Sequence, residues 1–169
     1  MRHTLKLLAM MTFACAASAS AAPEPSKPAP PPPPPRADAC RATGTVLFEI
    51  DHRVDPGAKL GTSTIKVFAN GAWTQDATDA DGKAASPRTG CIAKPDLKQL
   101  ETTLHGAPWK VTTNRVHCMA VTAQFTVFLV DGKPVFTKRL CSGDALDDKS
   151  RTRLDAAVAQ VEAEVAKAP

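Results

Sequence analysis

Asn70-Gly71 stands between two runs of strand-forming residues, 62–69 and 72–78. A two-residue type I′ turn needs positive φ at both central positions, and Asn followed by Gly supplies it at little steric cost. The dipeptide therefore predicts an antiparallel hairpin. A two-residue loop places Phe68 opposite Trp73 and Val67 opposite Thr74. A Phe–Trp pair across two strands would hold the register on one face. Asp131-Gly132 repeats the signal between residues 121–130 and 133–140. Phe125, Val127 and Leu129 supply one face of that second hairpin, and Pro134 assigns its return strand to an edge or a strand start.

The remaining elements follow from periodicity. Residues 45–54 alternate, with Val46, Phe48 and Ile50 on one side and Glu49, Asp51 and Arg53 on the other, as in a half-buried strand. Residues 79–90, containing Asp79-Ala80-Asp81-Gly82 and Pro87, read as loop. A helix starts near Pro95, buries Leu97, Leu100 and Leu104, and stops at Gly106 and Pro108. Residues 111–120 form a strand containing Cys118. The last helix runs from about 147 to 166, with Asp147 and Asp148 as candidate caps and Leu154, Ala157, Val158, Val161 and Val165 as its stripe. The expected fold is α+β: an antiparallel sheet of two hairpins plus single strands, with two amphipathic helices on one face. The order is β, hairpin, α, β, hairpin, α.

The N-terminus predicts export. Arg2 and Lys6 precede an apolar run over 7–17, and Ala19-Ser20-Ala21 supplies a small-x-small cleavage site. Residues 1–21 thus read as a signal peptide, and the protein as secreted or periplasmic. Cys15 keeps open a second route, lipidation, although the position three residues before it is Thr12 rather than Leu. No stretch reaches the ~20 apolar residues of a membrane span. Residues 22–37 form a linker, with nine prolines between Pro23 and Pro35; such a run favours an extended polyproline rod. Residues 38–169 are then a single domain. Removing the leader lowers the net charge from +4 to +2, and aromatics make up only 5% of the chain. Neither value fits an electrostatic or stacking footprint for nucleic acid.

Cys40, Cys91, Cys118 and Cys141 remain in the exported domain, an even number in an oxidising place, which predicts two disulfides. Three pairings are open; a topological argument favours Cys91–Cys118 and Cys40–Cys141. No C-x-x-C occurs, and no cysteine has finger spacing from a histidine, so no metal site and no cofactor is expected. His52, His105 and His117 have no G-x-S-x-G serine to serve. Cys141-Ser142-Gly143-Asp144 has the wrong order for a protease site. An EF-hand loop aligned on Gly82 would place Ala77 and Arg88 where carboxylates belong, so that segment reads as a turn. No catalytic residue is assigned. Trp73 has two readings: a core residue, or, beside Phe68 on an open sheet face, an anchor for a partner.

The passage Thr64-Ile65-Lys66-Val67-Phe68-Ala69-Asn70-Gly71-Ala72-Trp73, followed by Leu97, Leu100, Leu104 and Ala107-Pro108-Trp109, resembles the emfourin type of small α+β proteins. These are inhibitors of thermolysin-like metallopeptidases. The resemblance spans residues 44–165 in pattern. A Gly-Gly-Phe-type start is absent, four cysteines are added, and no functional residue carries over. The resemblance implies inhibition of a secreted metallopeptidase. The residues themselves imply a non-enzymatic binding module whose partner is a protein outside the cytoplasm. Two further readings stand beside these: a lipid-anchored structural component of the envelope, and a small hydrolase.

Overall fold

The computed structural model describes residues 41–114 and 122–168. Residues 1–40, which include the segments expected as signal peptide and Pro-rich linker with Cys15 and Cys40, and residues 115–121, with His117 and Cys118, lie outside the described residues. The described elements run β1 (Val46–Val54), β2 (Thr62–Phe68), β3 (Ala72–Thr78), β4 (Arg88–Cys91), α1 (Lys94–His105), β5 (Val111–Thr113), β6 (Gln124–Val130), β7 (Lys133–Arg139), β8 (Asp144–Leu146) and α2 (Asp148–Lys167). Six strands form one antiparallel sheet in the order β4-β3-β2-β1-β6-β7, and β5 pairs with β8 in a separate two-stranded sheet. The class is α+β.

Two local expectations are corrected. The segment 79–90, expected as loop, contributes edge strand β4, which pairs Trp73 with Gly90 and Ala72 with Cys91. The segment 111–120, expected as one strand, is strand only over Val111–Thr113 among its described residues. It pairs with β8 rather than joining the main sheet. Pro134 does fall on an edge strand, where the register shifts opposite Leu129, because proline has no N–H to give the ladder.

The two turn dipeptides behave differently. Asp131 (φ 51°) and Gly132 (φ 72°) both take positive φ, and Val130 pairs with Lys133, so the second hairpin has the expected two-residue loop. In the first hairpin Gly71 (φ 86°) takes positive φ and Asn70 does not. The loop is three residues long, Ala69-Asn70-Gly71, with the Gly71 N–H donating to the Phe68 carbonyl at 2.9 Å. The Asn70 side chain is engaged on both sides. Its Oδ1 accepts from the Ala72 N–H at 3.1 Å, and its Nδ2 donates to the Arg41 carbonyl at 2.8 Å. The expected register is therefore off by one. Val67, not Phe68, faces Trp73. A slip of one residue exchanges the faces of a strand, and here it turns Trp73 inward.

Directly opposed residues share a face, so the registers define the core side of the sheet. Val67 lies between Phe48 and Trp73; Ile50 lies between Ile65 and Phe128; Phe48 pairs Val130. All are buried in one cluster with Leu100 and Leu104 of α1 and Leu154, Ala157, Val161 and Val165 of α2. Both helices therefore cover this face. Trp73 is 2% exposed, and its indole lies over Gly90 of the neighbouring strand. A Cβ at Gly90 would come within 2.6 Å of the ring. Gly90→Ala is expected to cost about 1–3 kcal/mol through overpacking, read as a lower urea midpoint; an unchanged midpoint would contradict this packing.

Arginines join the helices to the rest of the fold. Arg153 of α2 donates to the Thr103 and Leu104 carbonyls at 3.0 and 2.9 Å, at the C-terminal end of α1, and its guanidinium lies 4.3 Å over Trp109. Arg88 of β4 donates to the Val165 and Ala168 carbonyls at 2.9 and 2.7 Å, at the end of α2. Both place a cation where the helix dipole is negative and the last carbonyls lack intrahelical partners. α1 stops at Gly106 as expected, with Gly106 in right-handed conformation, and Arg153 is what satisfies the carbonyls there.

At the start of α2, Asp147 accepts from the Ser150 N–H at 2.7 Å, and the Ser150 hydroxyl, itself 2% exposed with its residue, accepts from the Lys110 N–H at 3.1 Å. Ser150's N–H, then its hydroxyl, hold the Asp147 carboxyl below its ordinary value of 3.8, with Lys110 and Lys149 adding attraction. Folding thus favours the ionised form. The stability it lends is present above the ordinary value and lost as pH falls through the lowered one. Asp147→Asn keeps a capping oxygen but no titration. This variant is expected to lose less stability on acidification than the parent; parallel acid curves would contradict the assignment.

Candidate functional site

The sheet has a second face. From Phe48 onward β1 alternates, so Glu49, Asp51 and Arg53 point away from the helices while Phe48 and Ile50 point toward them; buried Leu47 falls where the register shifts. Register carries this face across the strands. Glu49 lies between Lys66 and Leu129, Asp51 between Thr64 and Val127, and Arg53 beside Phe125, which pairs Arg139. Further out, Thr64 meets Asp76 and Lys66 meets Thr74. The result is a surface in which short polar and charged side chains of β1, β2 and β3 adjoin an apolar row on β6.

The charges on this face are held in place. Asp51 accepts from Arg53 Nε at 2.5 Å and from the Thr64 hydroxyl at 3.1 Å, and its side chain is only 14% exposed against 51% for Arg53. Arg139 donates to Asp55 at 2.5 Å, and its guanidinium lies 4.5 Å over the Phe125 ring. Thr62 and Thr78 share a hydroxyl hydrogen bond at 2.8 Å. A carboxylate already fixed by two donors presents a shaped, preorganised surface, which lowers the entropic cost of docking.

A second concavity, of about 590 Å³, is lined by His52, Thr126, Lys138 and Phe128 of the sheet and by Val158 and Glu162 of α2. His52 Nδ1 lies 2.9 Å from the Thr126 hydroxyl. His105 sits elsewhere, 2.9 Å from Asp131 at the second hairpin turn. The two described histidines are thus spent on separate polar pairs. Among the described residues no group of three or more His, Cys, Asp or Glu is placed to hold a metal. No described helix is long and apolar enough to cross a membrane. Asp79 caps its own turn, accepting from the Asp81 and Lys83 N–H groups at 3.0 and 2.9 Å. Ser142, in the stretch that superficially resembles protease text, accepts from the Asp144 N–H at 3.1 Å.

The structure separates the residues that the sequence pairs. Trp73 is in the core, the first of its two readings, and Phe68 is half-buried opposite Val46 on β1, so the alternative of an exposed Trp73–Phe68 anchor pair is not formed. The three-residue loop is the cause. Cys91 ends β4 and Cys141 follows β7; each is disulfide-bonded, with the partner outside the described residues. Cys40 and Cys118 are themselves outside the described residues. Sequence reasoning does not reach Asp51, Thr64, Phe125 and Arg139 as site residues. Their signal lies in the charged half of the β1 alternation, which reads only as a solvated face until the neighbouring strands are in register. Comparison with protein-family models, with curated proteins and with solved structures finds no match to this chain.

Proposed function

We propose that this chain is an exported, non-enzymatic binding module that engages a protein outside the cytoplasm through the face of its six-stranded sheet opposite α1 and α2. The observation that carries the reading is the fixed Arg53–Asp51–Thr64 cluster beside half-buried Phe125 and Leu129, with Val127 buried between them. Apolar contact area bordered by oriented charges is the composition of a protein-docking surface. The alternation of Asp51, Glu49 and Asp76 with Arg53 and Lys66 disfavours a polyanion such as nucleic acid. The leader and the Pro-rich linker place the module in the periplasm or beyond, on a tether. Retention by lipid at Cys15 is the second route to anchorage, and the intact mass of the exported protein distinguishes the two.

The resemblance to emfourin-type proteins supplies the partner class to try first, a secreted thermolysin-like metallopeptidase. The test immobilises the mature chain and measures binding of such a peptidase and of proteins from the native extracytoplasmic fluid. The double variant Lys66→Glu/Thr74→Arg is expected to weaken binding about tenfold or more, as loss of ~1.4 kcal/mol does. Lys149→Glu on exposed α2 is expected to leave it unchanged. Binding that survives the sheet variant, or that is lost equally in the helix variant, would contradict the reading.

A further inference from the structure

Cys91 and Cys141 occupy opposite corners of the sheet. They belong to its two edges, β4 and the end of β7, which are five strand spacings or about 24 Å apart. They also lie at opposite ends of the strands. Cys91 is level with Ala72, beside the Asn70 turn, whereas Arg139 is level with Phe125 and Arg53 at the far end of β1. A disulfide needs Cα atoms within about 7 Å, so these two cysteines do not bond each other. Each is nevertheless disulfide-bonded, and Cys40 and Cys118 are the remaining thiols of the domain.

The described neighbours of those two residues decide the pairing. Arg41, next in sequence to Cys40, gives its carbonyl to Asn70, whose Oδ1 accepts from Ala72, the cross-strand partner of Cys91. The Ile92 N–H, next to Cys91, donates to Gly71 of the same turn at 2.8 Å. The chain thus enters the domain at the Cys91 corner. Cys118 is four residues from both Asn114 and Thr122, a reach of at most about 14 Å. The Asn114 N–H donates to the carbonyl of Gly143, two residues past Cys141, at 2.7 Å. The Ala123 carbonyl accepts from Asp55 just beyond the C-terminal end of β1, the end of the sheet where β7 finishes. Cys91 is four strand spacings from β6 and eight residues along β1 from Val54, a diagonal of roughly 30 Å. That exceeds the reach of Cys118 from its anchors. Arg41, the described neighbour of Cys40, is separated from Cys141 in the same way.

We infer that the cross-links are Cys40–Cys91 and Cys118–Cys141, one at each of two opposite corners, and not the Cys91–Cys118 and Cys40–Cys141 pairing that the order of elements favours. Each forms by thiol–disulfide exchange with a disulfide-bearing oxidant of the export compartment. One cysteine thiolate attacks the oxidant's disulfide and expels a thiolate; the second cysteine thiolate then displaces the oxidant's other sulfur. The protein loses two electrons and two protons per bridge, and the oxidant's disulfide leaves as two thiols.

The four cysteines fall on four different tryptic peptides, 37–41, 89–98, 116–138 and 140–149, since Lys94 and Lys133 precede proline. The test digests the exported, unreduced full chain with free thiols blocked and reads the linked masses. The expected result is 37–41 joined to 89–98 and 116–138 joined to 140–149. Linkage of 89–98 to 116–138 or to 140–149, a mixture of pairings, or blocked thiols at any of the four would overturn the assignment.

Discussion

Trp73→Ala is expected to lower the unfolding free energy by about 3–5 kcal/mol, the range for truncating a buried Trp or Phe. The indole is 2% exposed, faces Val67 of β2, and covers Gly90 of β4. Truncation would open a cavity against three strands at once, and β4, which among the described strands pairs with β3 alone, would lose the side chain that fills the space over its glycine. Urea unfolding followed by circular dichroism measures the loss. A drop under about 1 kcal/mol, the scale of a surface residue, would mean that the indole is exposed and that the register with Phe68 is the correct one. Trp73→Phe is expected to recover part of the stability, because the cavity is then smaller.

Arg153→Ala is expected to cost about 3.5–4 kcal/mol. Two hydrogen bonds from a charged donor contribute about 1.5 kcal/mol each, and the stacked guanidinium over Trp109 adds roughly 0.5–1 kcal/mol. Truncation also leaves the Thr103 and Leu104 carbonyls at the end of α1 without that donor. Arg153→Lys retains the charge but reaches two carbonyls poorly and stacks less well, so it is expected to restore less than half of the loss. Equal stability of the Ala and parent proteins, read by the same urea curves, would show that the helix junction does not depend on this contact. The Trp109 fluorescence provides a second readout, since the cation leaves its ring face.

The helices and the second hairpin are legible in the sequence because their signals are local. Asp131-Gly132 adopts the turn that its own two residues prefer. Leu100 and Leu104, and Leu154 with Val161 and Val165, lie on the stripes that their spacing defines. Asn70-Gly71 carries the same preference and yields a different loop. The Asn70 amide is recruited by Arg41, 29 residues earlier, and by Ala72, and this non-local competition is invisible in a dipeptide. β4 is illegible for a related reason. Arg88-Thr89-Gly90-Cys91 shows no alternation of its own, and it becomes a strand because Trp73 needs a glycine beneath it and Arg88 reaches the end of α2. The candidate site suffers most. Its residues come from different strands, and the sequence shows only that one side of β1 is charged. Which side chains meet there depends on registers that one misjudged turn shifts by a residue.

The disulfide expectation divides in the same way. Oxidised cysteines are expected from their even number in the domain and from the export that residues 1–21 imply, and Cys91 and Cys141 are disulfide-bonded. Their partners depend on which corner of the sheet each segment reaches. That information lies in the strand order β4-β3-β2-β1-β6-β7 and not in the order of elements along the chain.

The central claim, that the sheet face opposite α1 and α2 is the contact surface, is tested most directly by lysine footprinting of the mature chain, alone and bound to the protein that it retains. Lys66 lies on that face between Glu49 and Thr74, and Lys149 lies on exposed α2. The account predicts that binding slows acylation of Lys66 several-fold and leaves Lys149 unchanged. Protection of Lys149 with Lys66 still reactive would contradict it.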